Sequence, residues 1–68
     1  MRYESGQKIV IVEHPVNRHL VKPFEICIVN SVDEEEEGYW VDDPDYQNEK
    51  FVKECDVDFT KSKKINAK

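Results

Sequence analysis

The sequence contains no long apolar run, and this absence excludes a membrane-spanning helix. Such a helix needs about 18 or more consecutive apolar residues, whereas the longest run near the N-terminus, Ile9–Val12, has four. The residues before that run also lack the apolar block of a secretory signal peptide. We therefore expect a cytoplasmic protein that has no membrane partner.

The residue types that catalysis and phosphate binding need are scarce. The chain has two glycines, too few for a glycine-rich phosphate loop, and no grouping of serine, histidine and aspartate that suggests a nucleophile. His14 and His19 lie in one stretch without two further zinc ligands beside them. We expect a protein that is not an enzyme and that holds no metal and no cofactor.

Cysteine is also rare, with only Cys27 and Cys55 in the chain. In a reducing cytosol two such residues are expected to remain free thiols. Cys27 lies in a strand-like run and is expected to be a small buried hydrophobic residue. Cys55 stands between Glu54 and Asp56, and nearby negative charge disfavours a reactive thiolate.

The 68 residues allow one small domain, and its charge is unevenly distributed. Twelve of the 15 acidic residues lie between Asp33 and Asp58, where Lys50 and Lys53 oppose them, so this stretch carries −10. The remainder carries eight basic and three acidic residues, or +5, and the two values sum to the net charge of −5. This distribution disfavours a polyanionic partner on the acidic half, so a nucleic-acid partner is not expected.

The stretch from Phe24 to Val41 predicts a β-hairpin around which the core is organised. Two runs rich in β-branched and aromatic residues flank Asp33–Gly38, whose carboxylates must lie at a solvated tip. Gly38 is expected to supply the positive φ of the turn, and Asn30–Val32 is expected to form a bulge or bend.

Side chains along the first strand of this hairpin should alternate between two faces. One face carries Phe24, Ile26 and Ile28, and the other carries Glu25, Cys27 and Val29. The charge of Glu25 predicts that the second face is partly exposed at its start. In the other strand, Tyr39 and Val41 should share one face and Trp40 should lie on the other.

The residues before the hairpin predict a strand and a packed loop. Lys8–Glu13 contains four consecutive β-branched residues, which favour a strand over a helix. Proline at both ends brackets the loop, His14–Pro23, and three apolar residues should anchor it to the body: Val16, Leu20 and Val21.

The residues after the hairpin predict two short strands. Asp42–Asp45 is a turn signal, and Lys50–Lys53 should form a fourth strand. Glu54–Asp56 should form a tight turn of the 3₁₀ type, followed by a brief fifth strand over Val57–Phe59.

Three segments resemble SH3-like small β-barrels of the short bacterial and phage type. Gly6–Val12 is similar to their opening strand, Gly38–Val41 to their central strand and Phe51–Val57 to their closing strand and turn. The resemblance implies an all-β, five-stranded SH3-like barrel over residues 1–60, with a flexible basic tail over 61–68. It also implies a phage or mobile-element protein.

The aromatic residues near the acidic stretch are the candidates for binding. Trp40 either lies exposed among neighbouring aspartates or covers the open end of the barrel beneath the His14–Pro23 loop, and the sequence leaves both arrangements open. The exposed arrangement would suit a basic protein partner. We predict a partner-binding face that consists of Trp40, Asp42, Asp43, Asp45, Tyr46, Glu35 and Glu36.

Two other functions remain open. The carboxylates of Asp33–Glu37 and Asp42–Asp45 could imitate the phosphates of DNA and inhibit a DNA-binding protein. Weak nucleic-acid binding would need the scattered basic residues, but Lys22–Pro23 stands where the nucleic-acid-binding relatives of SH3-like modules have a glycine. A calcium loop of the EF-hand type starting at Asp33 would need a carboxylate at its twelfth position, which is Pro44.

Overall fold

The computed structural model describes residues 2–43 and 48–62, and it confirms the predicted all-β class. Four antiparallel strands form one sheet in which each strand lies beside its neighbour in sequence. The strands are β1, Lys8–Val10; β2, Ile26–Asp33; β3, Gly38–Asp43; and β4, Asn48–Lys53. A 3₁₀ turn follows at Glu54–Asp56, as predicted.

The predicted hairpin is formed by β2 and β3. Val29 is paired with Val41, and Asp33 is paired with Gly38 at the tip. The register shifts between Val29 and Ser31, which confirms the predicted irregularity. Asp42 and Asp43 belong to β3 instead of opening a turn, and residues 44–47 lie outside the described part of the chain.

The tip is closed by Glu37, so the prediction of a positive φ at Gly38 is wrong. Glu37 has a φ of 56°, and its carbonyl oxygen accepts a hydrogen bond of 3.0 Å from the Glu54 amide. Gly38 is required for a different reason. A Cβ atom there would overlap the Phe51 ring and would lie 2.5 Å from the Val52 carbonyl oxygen.

The sheet has a buried inner face and an exposed outer face. Tyr39 and Val41 share one face of β3 and Trp40 lies on the other, as predicted, and the shared face of Tyr39 and Val41 points inward. On β2 the predicted alternation is confirmed, but Cys27 and Val29 form the buried side, and Ile26 is 61% exposed. The core consists of Tyr3, Ile9, Ile11, Val21, Cys27, Val29, Tyr39, Val41, Val52 and Val57.

Glu25 lies at the start of the buried side of β2 and is partly exposed there, as predicted. Its carboxylate forms an ion pair of 2.5 Å with the Lys50 ammonium group. Both side chains are less than one-fifth exposed. A carboxylate that is paired in this way can lie at the edge of a core.

The predicted five-stranded closed barrel is wrong, because the described residues form an open four-stranded sheet without a fifth strand. Val57 makes an isolated bridge with Ile11, and the Asp58 amide donates to the Val10 carbonyl. The chain then turns, because the Asp58 carboxylate accepts hydrogen bonds from the Thr60 and Lys61 amides at 3.0 and 3.1 Å. These local bonds end the pairing before a strand can extend.

The segment after this turn covers the free edge of β1. Ser62 is buried, its hydroxyl oxygen accepts a hydrogen bond of 2.6 Å from the Val10 amide, and the hydroxyl donates to the Val10 carbonyl at 3.2 Å. Covering an edge strand in this way blocks its pairing with another chain. Lys61 and Ser62, the first two residues of the predicted tail, are among the residues that the structure describes. Residues 63–68 lie outside the described residues, so the tail assignment there stays a prediction.

The long loop between β1 and β2 is held by a buried carboxylate. Asp56 is fully buried, and it accepts hydrogen bonds from the Val16 and Asn17 amides at 2.7 and 3.2 Å and from the Asn17 side chain at 3.3 Å. Val21 is buried as predicted, but Val16 and Leu20 are exposed. Asp56 therefore anchors the loop where apolar packing was expected to do so.

Candidate functional site

The outer face of β2, β3 and β4 carries an aromatic pair, the exposed Trp40 and the half-buried Phe51. Trp40 is paired across the strands with Phe51, and the two rings meet edge to face with centroids 5.2 Å apart. Trp40 is 37% exposed. Edge-to-face contact fixes the orientation of both rings and leaves part of the indole surface open to a partner.

A carboxylate at the end of β2 orients the indole. The Trp40 indole N–H donates to the Asp33 carboxylate at 3.3 Å. Asp33 also accepts a hydrogen bond of 3.1 Å from the Glu36 amide through its other oxygen. The same side chain therefore links the acidic tip to the aromatic pair.

Two further carboxylates lie side by side on this face. Asp42 and Glu49 are directly opposite each other in β3 and β4, an arrangement of like charges that destabilises a sheet. The Asn30 side-chain amide donates to both carboxylates, at 2.6 Å to Asp42 and 3.1 Å to Glu49. The amide of Asn30 thus compensates for the repulsion and holds the two carboxylates in place.

The acidic tip adds four exposed glutamates, Glu34–Glu37, beside this face. Lys53 is the basic residue at this end of β4, and its ammonium group donates to the Glu36 carbonyl at 3.2 Å and lies 5.8 Å from the Phe51 ring centroid. We use the name acidic aromatic face for Trp40, Phe51, Asp33, Asp42 and Glu49.

The structure brings some of the predicted partner-binding residues together. Trp40 and Asp42 lie on the acidic aromatic face, and Glu35 and Glu36 lie at the adjacent tip. The side chain of Asp43, and Asp45 and Tyr46 as a whole, fall outside the described residues. Of the two arrangements considered for Trp40, the structure has the exposed one, with the indole packed against β4.

Three residues of this surface were not predicted from the sequence, namely Asn30, Glu49 and Phe51, and Asp33 was predicted only for the alternative function of DNA imitation. In the sequence Phe51 belongs to the predicted fourth strand, Lys50–Lys53, and nothing there places it beside Trp40. Its position beside Trp40 follows from the register of β3 with β4, which the sequence does not specify. Asn30 faces the two carboxylates at the bulge of β2, and a bulge re-aims side chains in a way that strict alternation does not predict.

The thiols and histidines lie elsewhere. Partial burial, together with the neighbouring Asp56 carboxylate, raises the pKa of the Cys55 thiol. Cys27 is buried in the core, and both histidines are exposed. Within residues 2–43 and 48–62, no three side chains of the metal-binding types form a group that could hold a metal ion. Nor does this part of the chain include a helix long and apolar enough to cross a membrane.

Comparison with known proteins gives no relative from which a role could be transferred. The chain matches no protein-family model, no curated protein and no solved structure.

Proposed function

We propose that this chain is a non-enzymatic protein-binding module whose acidic aromatic face engages a basic segment of another protein. The observation that carries the proposal is the exposed Trp40, packed against the half-buried Phe51 and flanked by carboxylates that are fixed by hydrogen bonds. Tryptophan is enriched among the residues that dominate binding energy at protein interfaces. Carboxylates around it would select a partner rich in lysine or arginine.

The geometry of the face supports a binding role because little ordering is needed when a partner arrives. The indole is held by Asp33 and Phe51, and the carboxylates of Asp42 and Glu49 are held by Asn30. Ordering a side chain at an interface costs about 0.5–1.5 kcal/mol, so side chains that are already fixed favour affinity.

The same proposal extends to the fold family, the cellular location and the class of partner. The long loop after the first strand, the central hairpin and the 3₁₀ turn before the closing segment are the features that suggest kinship with SH3-like modules of the short bacterial and phage type. We propose a cytoplasmic role with a protein partner, and with neither a membrane nor a nucleic acid as the ligand.

The proposal is tested with a short synthetic peptide of alternating lysine and leucine, labelled with a fluorophore and titrated by anisotropy. Replacing Trp40 by alanine should weaken binding by about 30-fold or more, equivalent to about 2 kcal/mol at a central aromatic residue. Asp42→Lys should weaken binding about tenfold through repulsion of the lysines.

A matched control is Glu13→Lys, which makes the same charge change at an exposed position in the loop after β1. This variant should bind the peptide within about twofold of the wild type, because the charge lies outside the face. A peptide of alternating glutamate and leucine should not bind. If Glu13→Lys weakens binding as much as Asp42→Lys, or if Trp40→Ala has no effect, the face is not the binding site.

The same variants separate this proposal from inhibition by imitation of DNA. An inhibitor that presents carboxylates in place of phosphates would bind through charge, so it would lose affinity in Asp42→Lys and keep it in Trp40→Ala. A binding module that relies on an aromatic anchor would lose affinity in both.

A further inference from the structure

The outer face of β1 and the first half of β2 has the opposite character to the acidic aromatic face. Lys8 is opposite Ile28, and Val10 is opposite Ile26. Ile26 is 61% and Ile28 is 39% exposed. Neighbouring exposed aliphatic side chains on one sheet face typically mark an interaction surface.

Phe24 extends this apolar surface from an unfavourable backbone conformation. Its φ is 62°, in a region that a bulky side chain rarely adopts, and its ring is 49% exposed. The Lys61 ammonium group lies 5.7 Å from the ring centroid. A strained residue that holds an aromatic ring toward solvent is typical of functional surfaces.

The charges around this surface are positive. Lys8 and Lys61 are exposed beside it. Two carboxylates close in sequence to these residues are engaged elsewhere, since Glu25 forms an ion pair with Lys50 and Asp58 accepts hydrogen bonds from backbone amides. We use the name basic apolar face for Lys8, Phe24, Ile26, Ile28 and Lys61.

The two faces share the outer side of β2. Ile26 and Ile28 lie at its start, and beyond the bulge Asn30 and Asp33 lie at its end beside the carboxylates and Trp40. The first half of β2 therefore borders lysines and aliphatic groups, and its second half, beyond the bulge, borders carboxylates and aromatic rings. Each copy of the chain carries both surfaces, so each surface of one copy has a complement on another copy.

We infer that the partner of the acidic aromatic face is a second copy of this chain, bound through a two-fold symmetric interface in which the acidic aromatic face of each copy meets the basic apolar face of the other. In such an interface the same contact occurs twice, because the acidic aromatic face of each copy contacts the basic apolar face of the other. This inference rests on the proposed function, because it names the basic partner of the same face.

The test is analytical ultracentrifugation of the full chain over a range of concentrations. The wild type should sediment as a dimer at high concentration and dissociate as salt is raised. Lys8→Glu and Asp42→Lys should each sediment as monomers. Each substitution occurs twice in a symmetric dimer, and each occurrence should weaken the affinity about tenfold, so dimerisation should be weakened about a hundredfold. Both positions are exposed, so the variants should keep the wild-type circular dichroism spectrum.

Mixing the two variants provides the decisive comparison. A Lys8→Glu copy and an Asp42→Lys copy present opposite charges at both ends of the interface, so an equimolar mixture should form a dimer although neither variant does so alone. Arg18→Glu and Glu13→Lys, which change exposed loop charges, should dimerise like the wild type. A monomeric wild type at every concentration, or a mixture that stays monomeric, would overturn the inference.

Failure of the inference can be distinguished from failure of the proposed function. If the wild type is monomeric yet binds the lysine–leucine peptide in a manner that depends on Trp40, the basic partner is another protein and the proposed function stands. If it neither dimerises nor binds the peptide, both are overturned.

Discussion

The buried carboxylate of Asp56 predicts a large and graded loss of stability when its oxygens are removed. In Asp56→Ala the Val16 and Asn17 amides lose their acceptor, and each hydrogen bond to a charged group contributes about 1.5–3 kcal/mol. Because these bonds are only partly buried, we take the lower part of that range, which gives a loss of about 3–4 kcal/mol. A chain of this length has about 3–10 kcal/mol of total stability. Asp56→Ala should therefore lose at least about a third of its free energy of unfolding.

A conservative variant and a matched control make this prediction specific. Asp56→Asn keeps one oxygen for one amide but turns an NH₂ group toward the other donors, so it should lose about half as much. Asp58→Ala also removes a carboxylate that accepts two backbone hydrogen bonds, but those bonds are exposed and the loss should be about 1 kcal/mol.

Urea denaturation followed by circular dichroism gives the free energy of unfolding of each variant. Amide hydrogen exchange at Val16 and Asn17 adds a local measurement, because protection there should fall before the sheet opens. If Asp56→Ala loses no more stability than Asp58→Ala, the carboxylate does not hold the loop and the reasoning is refuted.

Three further predictions concern single positions. Gly38→Ala should lower the free energy of unfolding by about 1–3 kcal/mol, because the added Cβ meets the Phe51 ring and backbone; a loss below about 0.5 kcal/mol would contradict this. Burial raises the pKa of Tyr39 above its ordinary value of 10.0, so the unfolded chain ionises first and stability should fall above about pH 10; Tyr39→Phe should flatten this dependence, and an unchanged slope would contradict it. Because burial and Asp56 raise the pKa of the Cys55 thiol, iodoacetamide should alkylate it more slowly in the folded chain than in urea; an equal rate would contradict this.

The elements that local chemistry determines were predictable from the sequence. A run of carboxylates must be solvated, so the hairpin between Phe24 and Val41 follows from Asp33–Glu37 and the β-branched runs beside it. The bulge follows from the break in alternation at Asn30–Val32, and the shared face of Tyr39 and Val41 follows from the period of two.

The elements that depend on distant partners were not predictable. The ion pair of Glu25 with Lys50, 25 residues later in the chain, is not indicated by the local sequence around either residue. Asp56 resembles a turn residue in the sequence, although it organises a loop 39 and 40 residues earlier in the chain. The predicted fifth strand does not form because the Asp58 carboxylate accepts hydrogen bonds from the Thr60 and Lys61 amides. These local bonds compete with strand pairing.

The candidate site was predictable in part for the same reason. Trp40 and Asp42 share an outer face through alternation along one strand. The contact with Phe51 and the bridge from Asn30 to Glu49 depend on the register between strands, which is fixed by packing over the whole sheet.

The most direct test of the account is an NMR titration of the ¹⁵N-labelled chain with the lysine–leucine peptide. The chain has one tryptophan, so the indole N–H signal reports on Trp40 alone. We predict that this signal and the backbone amides of Asp42 and Glu49 shift as peptide is added, while those of Val16 and Asn17 stay in place. Saturable binding that leaves the indole signal unmoved would contradict the claim that this face recognises a basic partner.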